Sequence, residues 1–465
     1  MNARLALIAA SAALLSGCVS LDPEYERPPA PTPSAWPQGP AYAPADPAAS
    51  TALPAWRAFY ADEKLRALIE LSLEQNRDLR IAAANIERAR ALYGVQRAQS
   101  LPNVEGALQG QSQQTPVSAG GTGDVTRQYS ASVGITAFEL DFFGRVRSLN
   151  RSALQSYLAT QAARDSAQIA LISEVATRYL AYAGDLDLLR LARETYDAQS
   201  HSLMLTQRRY DAGASSLLDL RRAQTTVEAA RADVARYTTL TAQDYNALAL
   251  VVGAPIADDL KPTSIETVNF GAQTLPPGLP SDVLLTRPDI VSAEHELQAA
   301  YSDIGAARAA FFPSVSISGT AGQVDPRFEN LFSGADGAWS FTPRVSLPLF
   351  DAGARRGRLG AAEADRDIAV ASYERAIQAA FREVADALAE RGTIDERVTA
   401  QQSLTSAASD AFHMSEARFQ RGVDNYLSVL DAQRELYGAQ QALVNARVDR
   451  AVNLVTLYKT LGGGL

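Results

Sequence analysis

Residues 418–433 read RFQRGVDNYLSVLDAQ, and an earlier stretch, residues 209–224, reads RYDAGASSLLDLRRAQ. Each stretch predicts the end of one long helix, a tight turn and the start of a second long helix. Gly213 and Gly422 stand at the turns, where the residue after a helix end commonly adopts positive φ and glycine does so at little cost. The two stretches lie about 210 residues apart, far longer than the period of solenoid repeats. The chain is therefore predicted to be a tandem duplication of two large halves.

The residues after each turn are typical of a helix start. Ser216 and Asn425 are suited to cap the next helix, and Asp219 follows Ser216 by three residues, as in a loose capping box. Apolar and small residues then recur at spacings of three and four, which predicts a packed seam along each helix. On the later helix the seam consists of Val429, Ala432, Leu436, Ala439 and Leu443.

A very long helix is predicted before each turn. Residues 144–211 contain no proline and mix charged residues with Leu, Ile and Ala throughout. They predict one helix, or two nearly collinear helices, of roughly 67 residues and on the order of 100 Å in length. Such a helix exceeds what a globular domain requires and indicates a coiled coil or the wall of a tube. Gly184 and Gly392 recur at matching points, which predicts a bend or a close helix contact in each half, although the duplication alone would also explain the recurrence.

The first residues predict export. Arg4 precedes an apolar run from Leu5 to Leu15, which is typical of a cleaved secretory signal peptide over residues 1–17. The run is too short for a permanent membrane-spanning helix. Cys18 is the only cysteine, so neither an internal disulfide nor a cysteine-pair metal site is available. From position alone, Cys18 is either an acylated residue or a chance cysteine beside a cleavage site.

Composition and motifs argue against several classes of function. The net charge of −9 and the lack of a basic run argue against nucleic acid as a partner. The three histidines, His201, His295 and His413, lack the spacing of metal ligands, so no metal site is predicted. The sequence contains no GxSxG motif and no Walker-type loop, so we predict that the protein is not an enzyme.

Along the mature chain we predict four regions. Residues 18–60 are rich in Pro, Ala and Ser and predict an extended tether, which would carry a lipid if Cys18 is acylated. Residues 61–253 form the first repeat, with its tip turn at Gly213. Residues 254–286 form a proline-rich connector or equatorial region, and residues 287–465 form the second repeat, with its tip turn at Gly422.

Each repeat also contains a predicted β-hairpin, at about residues 103–140 and 313–350, in which apolar residues alternate with small polar ones. Trp339, Phe341, Leu347 and Leu349 are predicted on one face that suits lipid, the alternative being a sheet packed on helices. Four strands cannot close a barrel, and an open sheet edge is not tolerated in lipid. Several copies of the chain would therefore have to complete the sheet, which predicts a cyclic oligomer.

Five segments together resemble the outer-membrane factors of the TolC and OprM type, in the lipoprotein branch that serves efflux pumps. The resemblance covers essentially the whole chain, and the second and fifth segments are the most specific. The segments are LSGC at residues 15–18, LPPGLPSDVLLTRPDI at 275–290, FFP at 311–313, LPLFDAG at 347–353 and GVDNYLSVLDAQ at 422–433.

The resemblance implies a mostly helical protomer with a transmembrane β part. Three protomers would form a twelve-stranded β-barrel in the outer membrane and an α-helical barrel across the periplasm, docked through the tip turns to a periplasmic adaptor and an inner-membrane pump. It also implies a lipoprotein with diacylglycerol and palmitate on Cys18 and no other cofactor. Val19 and Ser20 follow the cysteine in place of an aspartate, which by resemblance favours sorting to the outer membrane.

The same resemblance predicts a gate at the periplasmic end of the tunnel. Leu427 and Asp431 lie on the opposite side of the last helix from its seam, and the resemblance assigns them to a closed aperture with Arg434 close by. Three copies of Asp431 would form a carboxylate ring, which favours cations and can be held by arginines. Arg222 occupies the twin position of Asp431, which suggests a latch between them. On residue type and spacing alone, Asp431 and Arg434 read as a surface ion pair.

The implied function is the outer-membrane channel of a tripartite efflux system that exports small molecules or drugs. Two alternatives stay open at this point. One is an exit duct for a type I protein secretion system, and the other is a structural coiled-coil lipoprotein that forms no channel.

Overall fold

The computed structural model describes residues 20–42, 53–114, 123–271 and 281–464. Cys18 and the predicted signal peptide lie outside the described residues, as does part of the proline-rich connector. The helices are α1 (Trp56–Phe59), α2 (Glu63–Gln75), α3 (Arg77–Ala98), α4 (Arg145–Asp211), α5 (Leu217–Val252), α6 (Pro288–Ala309), α7 (Ala354–Gln420) and α8 (Tyr426–Thr460). The strands are β1 (Val104–Gln114), β2 (Val125–Leu140), β3 (Ser314–Asp325) and β4 (Asp336–Ser346).

The structure confirms the predicted class, a mostly helical chain with four strands. The helices α4 and α7 contain 67 residues each, and α5 and α8 contain 36 and 35. At 1.5 Å per residue, each of the two longest helices extends about 100 Å. Among the described residues, none of the helices has the length and apolarity needed to cross a membrane.

The chain divides into two compact units. The sheet unit comprises the described residues of Met1–Pro29 together with Asn85–Gln161 and Ser292–Glu374. The helical unit comprises the described residues of Ala30–Ala84, Ala162–Val291 and Arg375–Leu465. Both units draw segments from both predicted repeats. The division of the sequence into repeats remains a prediction about the chain.

In the sheet unit the four strands form one antiparallel sheet in the order β1-β2-β3-β4. The register places apolar and small residues together on one face. One row across the sheet consists of Gly106, Val133, Ala321 and Trp339, and the next row on that face consists of Val104, Ile135, Gly319 and Phe341. The row between them faces the other way and consists of Glu105, Gly134, Thr320 and Ser340.

A β-bulge in β2 keeps the apolar face continuous. Ile135 pairs with Gly319 and Phe138 pairs with Ile317, so β2 uses one more residue than β3 between these pairs. Ala137 lies in the bulge with a φ of 47°. The extra residue reverses the alternation of side chains, and the apolar residues after the bulge therefore stay on the same face as those before it.

The strand β4 ends earlier than the alternation of apolar residues predicts. Its last pair is Ser346 with Ser314. Pro348 has no N–H to continue the ladder of hydrogen bonds. Leu347 and Leu349 therefore follow the strand, 54% and 87% exposed.

In the helical unit both tip turns have the predicted conformation. Gly213 and Gly422 have φ values of 73° and 76°. The N–H of Ala214 donates to the carbonyl of Arg209 at 2.7 Å, and an equivalent bond closes the second turn, as in a Schellman motif. The predicted caps are also present: Ser216 and Asn425 accept from the backbone N–H three residues later, and Ser216 completes a capping box with Asp219.

Part of the region predicted as an extended tether is folded. Trp56–Phe59 form the short helix α1 in the helical unit. Phe59 is fully buried, and its ring stacks on the ring of Tyr458 with centroids 3.9 Å apart. The aromatic side chains anchor this segment to the last helix because their burial stabilises the contact.

Candidate functional site

Three of the four predicted gate residues lie on one side of the first turns of α8, and Arg222 lies on α5. Leu427, Asp431 and Arg434 are exposed, whereas Val429 and Ala432 are buried. Leu427 is 36% exposed even though it is apolar. The helix therefore packs through its seam, as predicted, and turns the candidate gate residues away from it.

A groove in the helical unit joins α4, α5 and α8 beside these residues. It has a volume of about 340 Å³. Three of the predicted site residues line it, namely Arg222, Leu427 and Arg434. Its other lining residues include Gln199, Thr225, Thr226, Asp233, Gln433 and Tyr437. The fold thus brings together side chains that are more than 200 residues apart in sequence.

Asp431 forms an ion pair with Arg434, one turn further along the same helix. The two side chains are 57% and 69% exposed. An exposed pair of this kind contributes about 0–1 kcal/mol to stability. Among the described residues, no ion pair joins Asp431 to Arg222, so the latch between them stays a prediction.

The structure also contains a hydrogen-bond network that starts at the groove lining and was not predicted from the sequence. The hydroxyl of Tyr437 on α8 donates to Asp233 Oδ2 on α5 at 3.0 Å. Gln441 Nε2 donates to the hydroxyl of Tyr237 at 3.1 Å, and Arg236 Nη2 donates to the same hydroxyl at 2.7 Å. Burial, followed by the charge of Asp233, raises the pKa of Tyr437, so its hydroxyl remains a donor. One available signal was that Tyr437 follows Arg434 by three residues, on the same helix face.

The tip turns present apolar side chains to solvent. Val423, directly after Gly422, is 61% exposed. Leu217 and Leu218, at the start of α5, are 49% and 58% exposed. Gly213 and Gly422 themselves are exposed. These residues are available to a partner, and the predicted contact with an adaptor rests on this surface.

In the sheet unit the apolar face is uncovered. Trp339 and Phe341 are 79% and 60% exposed, and Val133 on β2 is 59% exposed. Large apolar side chains in neighbouring rows of one face form the kind of patch that marks a contact with lipid or protein. The assignment of this face to lipid, including Leu347 and Leu349 beyond the strand, stays a prediction.

No cluster of three His, Cys, Asp or Glu side chains that could hold a metal ion occurs in the part of the chain that the structure describes. Cys18, the predicted site of lipid attachment, lies outside that part.

The four-stranded sheet with its uncovered apolar face and the two helices of 67 residues match the architecture of solved outer-membrane channels. The structure of the open state of the Neisseria gonorrhoeae MtrE outer membrane channel aligns with a TM-score of 0.86 and 34% identity, covering 96% of this chain and 99% of that one. The chain belongs to the outer membrane efflux protein family, whose model matches residues 68–254 and 279–463.

Relatives are similar over nearly their whole length. The probable efflux pump outer membrane protein TtgC of Pseudomonas putida is 45% identical over 468 residues, which cover 100% of this chain and 96% of that protein. Outer membrane protein OprJ of Pseudomonas aeruginosa is 42% identical, with 97% and 94% covered. The resemblance inferred from the sequence motifs is therefore confirmed, and the family is one of efflux channels of the outer membrane, not of enzymes.

Proposed function

We propose that this protein is the outer-membrane channel of a tripartite efflux system. Three copies form a tunnel through which small molecules leave the cell, and the tunnel docks to a periplasmic adaptor and an inner-membrane pump. The family supports the efflux role. The antibiotic efflux pump outer membrane protein ArpC of Pseudomonas putida, which is 45% identical to this chain, is named for small molecules. That name supports small molecules as the exported class, in preference to a secreted polypeptide.

The observation that carries the proposal of a channel is the open sheet. The strands β1 and β4 are its two edges, and each has 11 residues that are exposed throughout. Unpaired edges of this length bind further strands readily, and a lipid environment requires that they be paired. Pairing of β4 in one copy with β1 in the next satisfies both edges, and three copies give twelve strands, enough for a barrel with a lumen.

The gate of this tunnel consists of Leu427 and Asp431, with Arg434 and Arg222 as partners of the carboxylate. The groove that contains Arg222, Leu427 and Arg434 supports this assignment because it joins the first turns of α5 and α8. In the trimer, three Asp431 carboxylates face one another. The ion pair between Asp431 and Arg434 supports Arg434 as a partner of this carboxylate.

Replacement of Asp431 tests the gate. We expect Asp431→Ala to raise the single-channel conductance in planar bilayers and to let vancomycin enter cells that carry the variant. Loss of an exposed ion pair costs at most about 1 kcal/mol of stability, so the fold remains intact. Glu435→Ala is the matched control, since Glu435 is an exposed carboxylate on the same helix. Equal conductance of Asp431→Ala and the wild-type protein would show that Asp431 is not part of the gate.

We also infer that Cys18 carries a diacylglycerol and a palmitoyl chain after removal of residues 1–17. The LSGC motif supports this modification, and two or more acyl chains are enough for stable anchoring in a membrane. Intact-mass measurement of the mature protein, compared with a Cys18→Ser variant, tests it. A mature chain with an unmodified cysteine contradicts the inference.

A further inference from the structure

The segment that follows the predicted lipid site is docked on the sheet unit. Asp22 lies against the first turns of α4, where Ser148 Oγ donates to Asp22 Oδ1 and Arg151 Nη1 lies 3.0 Å from Asp22 Oδ2. Arg151 Nη2 also donates to Ser20 Oγ at 2.8 Å. The Asp22 side chain is only 11% exposed. This carboxylate is therefore held in a site and does not lie on a free tether.

A glycine of α6 makes room for Asp22. A Cβ atom built on Gly305 would lie 1.7 Å from Asp22 Oδ1 and 2.9 Å from Asp22 Cα. Real Cβ atoms do not approach other atoms this closely, and the second distance involves the backbone of the segment. Glycine inside a helix costs about 1 kcal/mol relative to alanine. The close approach of Asp22 gives this glycine a structural reason.

A second contact of this segment lies three to five residues further along the chain, at Tyr25 and Arg27. Glu294 of α6 accepts from the hydroxyl of Tyr25 at 2.9 Å and from Arg27 Nε and Nη2 at 2.9 and 2.7 Å. The Glu294 side chain is 10% exposed, and the ring of Tyr25 packs edge-on against Tyr301 with centroids 5.5 Å apart. A buried carboxylate requires such partners, because an unpaired charge in the protein interior costs far more free energy than an unpaired charge at the surface. Burial and the neighbouring Glu294 raise the pKa of Tyr25 to about 12, so its hydroxyl stays protonated and keeps donating.

We propose that residues 20–27 act as a positioning strap. They bind as a peptide to a built site on α4 and α6, and they fix the point at which the N-terminal segment leaves the sheet unit. In this site the side chain of Asp22 packs against Gly305, and the side chains of Tyr25 and Arg27 bind the carboxylate of Glu294. The strap joins two helices that come from different halves of the chain.

The strap also has a consequence for where a lipid on Cys18 would lie. This consequence rests on the proposed function, whereas the strap itself does not. If Cys18 is acylated, only Val19 separates it from Ser20, so the Cα atoms of Cys18 and Ser20 are at most about 7 Å apart. Ser20 contacts Arg151 on α4, which begins five residues after the end of β2. The lipid would then be held near that end of β2, where the chain turns from the sheet into the helix.

Limited digestion of the full-length protein in detergent tests the strap. The protease Glu-C cleaves after glutamate, and the strap contains Glu24 and Glu26. Cleavage requires the strap to leave its site, so the rate reports the fraction undocked. We expect slow cleavage of the wild-type strap. In Gly305→Val and in Glu294→Ala, we expect the rate to rise by about tenfold or more, as for loss of a buried ion pair.

Two further variants complete the design. Gly94→Val is the matched control, because Gly94 is also a helix glycine of the sheet unit but has open space where a Cβ would go. It should leave the strap protected. Arg27→Ala removes only a side chain of the strap that is 51% exposed, so it tests the site without endangering the fold. It should also increase cleavage.

Equal cleavage of Arg27→Ala and the wild-type strap would overturn the proposal, and so would rapid cleavage of the wild-type strap. Neither result depends on transport, since the assay needs only the folded protein. A protein that forms no channel but keeps a protected strap would refute the proposed function and leave the strap standing. A protein that forms a channel but whose strap is cleaved rapidly would refute the strap alone.

Discussion

Gly184 shows how tightly one residue can constrain two helices. It lies on α4 in the helical unit, and a Cβ built on it would lie 2.5 Å from Val448 Cγ2 on α8. The sequence offers three explanations for this glycine, namely a bend, a close helix contact or inheritance from the duplication alone, and at Gly184 the structure shows a close contact. The separation of the two residues in sequence explains why no local pattern identifies Val448 as the neighbour.

We expect Gly184→Ala to destabilise the protein. Alanine in a helix gains about 1 kcal/mol over glycine, but overpacking costs about 1–3 kcal/mol, so the expected net loss is as much as about 2 kcal/mol. Val448→Ala in the same chain should recover most of the loss by removing the methyl group in the way. Thermal unfolding of the single and double variants measures this coupling. Gly438→Ala is the control, because the space at Gly438 is open and the variant should be no less stable than wild type.

Single residues with a local role are the best predicted from this sequence. Gly213, Gly422 and the caps Ser216 and Asn425 act on atoms within a few residues of themselves, and their conformations follow from the spacing alone. The hydrogen bond between Tyr437 and Asp233 joins positions 204 residues apart. A single sequence gives the type of each side chain at such a site but not its partner.

At the scale of elements, a carboxyl group of α4 interacts with a carboxyl group of α5 in the helical unit. Asp185 lies on α4 and Asp244 on α5, and Asp244 Oδ2 is fully buried. Burial first, and then the hydrogen bond and charge of Asp244, raise the pKa of Asp185 to about 7, against a smaller opposite effect of Arg236. The Asp185 carboxyl group therefore stays protonated under mildly acidic conditions.

This arrangement predicts how stability depends on pH. Folding raises the pKa of Asp185, so the folded chain binds the proton more tightly than the unfolded chain. The stability that this group contributes is complete below the ordinary aspartate pKa of about 4 and is lost as the pH rises through about 7. Asp185→Asn stays neutral at every pH. We expect the wild-type melting temperature to fall between pH 5.5 and 8.5 more steeply than that of Asp185→Asn.

The measurement is a set of thermal unfolding curves across that range of pH. Asp410→Asn serves as control, because Asp410 is an exposed carboxyl group of α7 in the same unit, and it should keep the wild-type slope. Parallel slopes for wild type and Asp185→Asn would contradict the raised pKa of Asp185.

The helices and strands themselves were largely predictable, but their ends were not. The absence of proline over residues 144–211 and the alternation in the hairpins each describe a whole element, and both predictions are confirmed. The bulge at Ala137 in β2 and the last residue of β4 depend on how each strand pairs with β3. The sequence of a single strand does not contain this information. An alternating pattern gives the face of each residue only while the register holds.

At the scale of the whole chain, the two predicted repeats of the sequence do not correspond to the two compact units of the structure. The family match covers two segments, 68–254 and 279–463, one in each half. Each compact unit nevertheless takes residues from both halves. The hairpins pair with each other through β2 and β3, so the one sheet contains strands from both predicted repeats. A repeat detected along the sequence therefore predicts similar elements, not independent domains.

The final prediction concerns the two faces of this sheet. If the rows that contain Trp339 and Phe341 face lipid, a charge placed there costs about 2–4 kcal/mol at the middle of the bilayer. We expect Phe341→Lys to reduce strongly the amount of protein recovered from the outer membrane and the fraction that resists dissociation as a trimer in detergent. Thr342→Lys is the matched control, since Thr342 is the next residue of β4, pairs with Ser318 and faces the opposite side. In a channel that side faces water, so the control should assemble at wild-type levels. Similar losses for both variants, or for neither, would mean that the apolar face does not contact lipid, and the sheet would then have to be covered by protein.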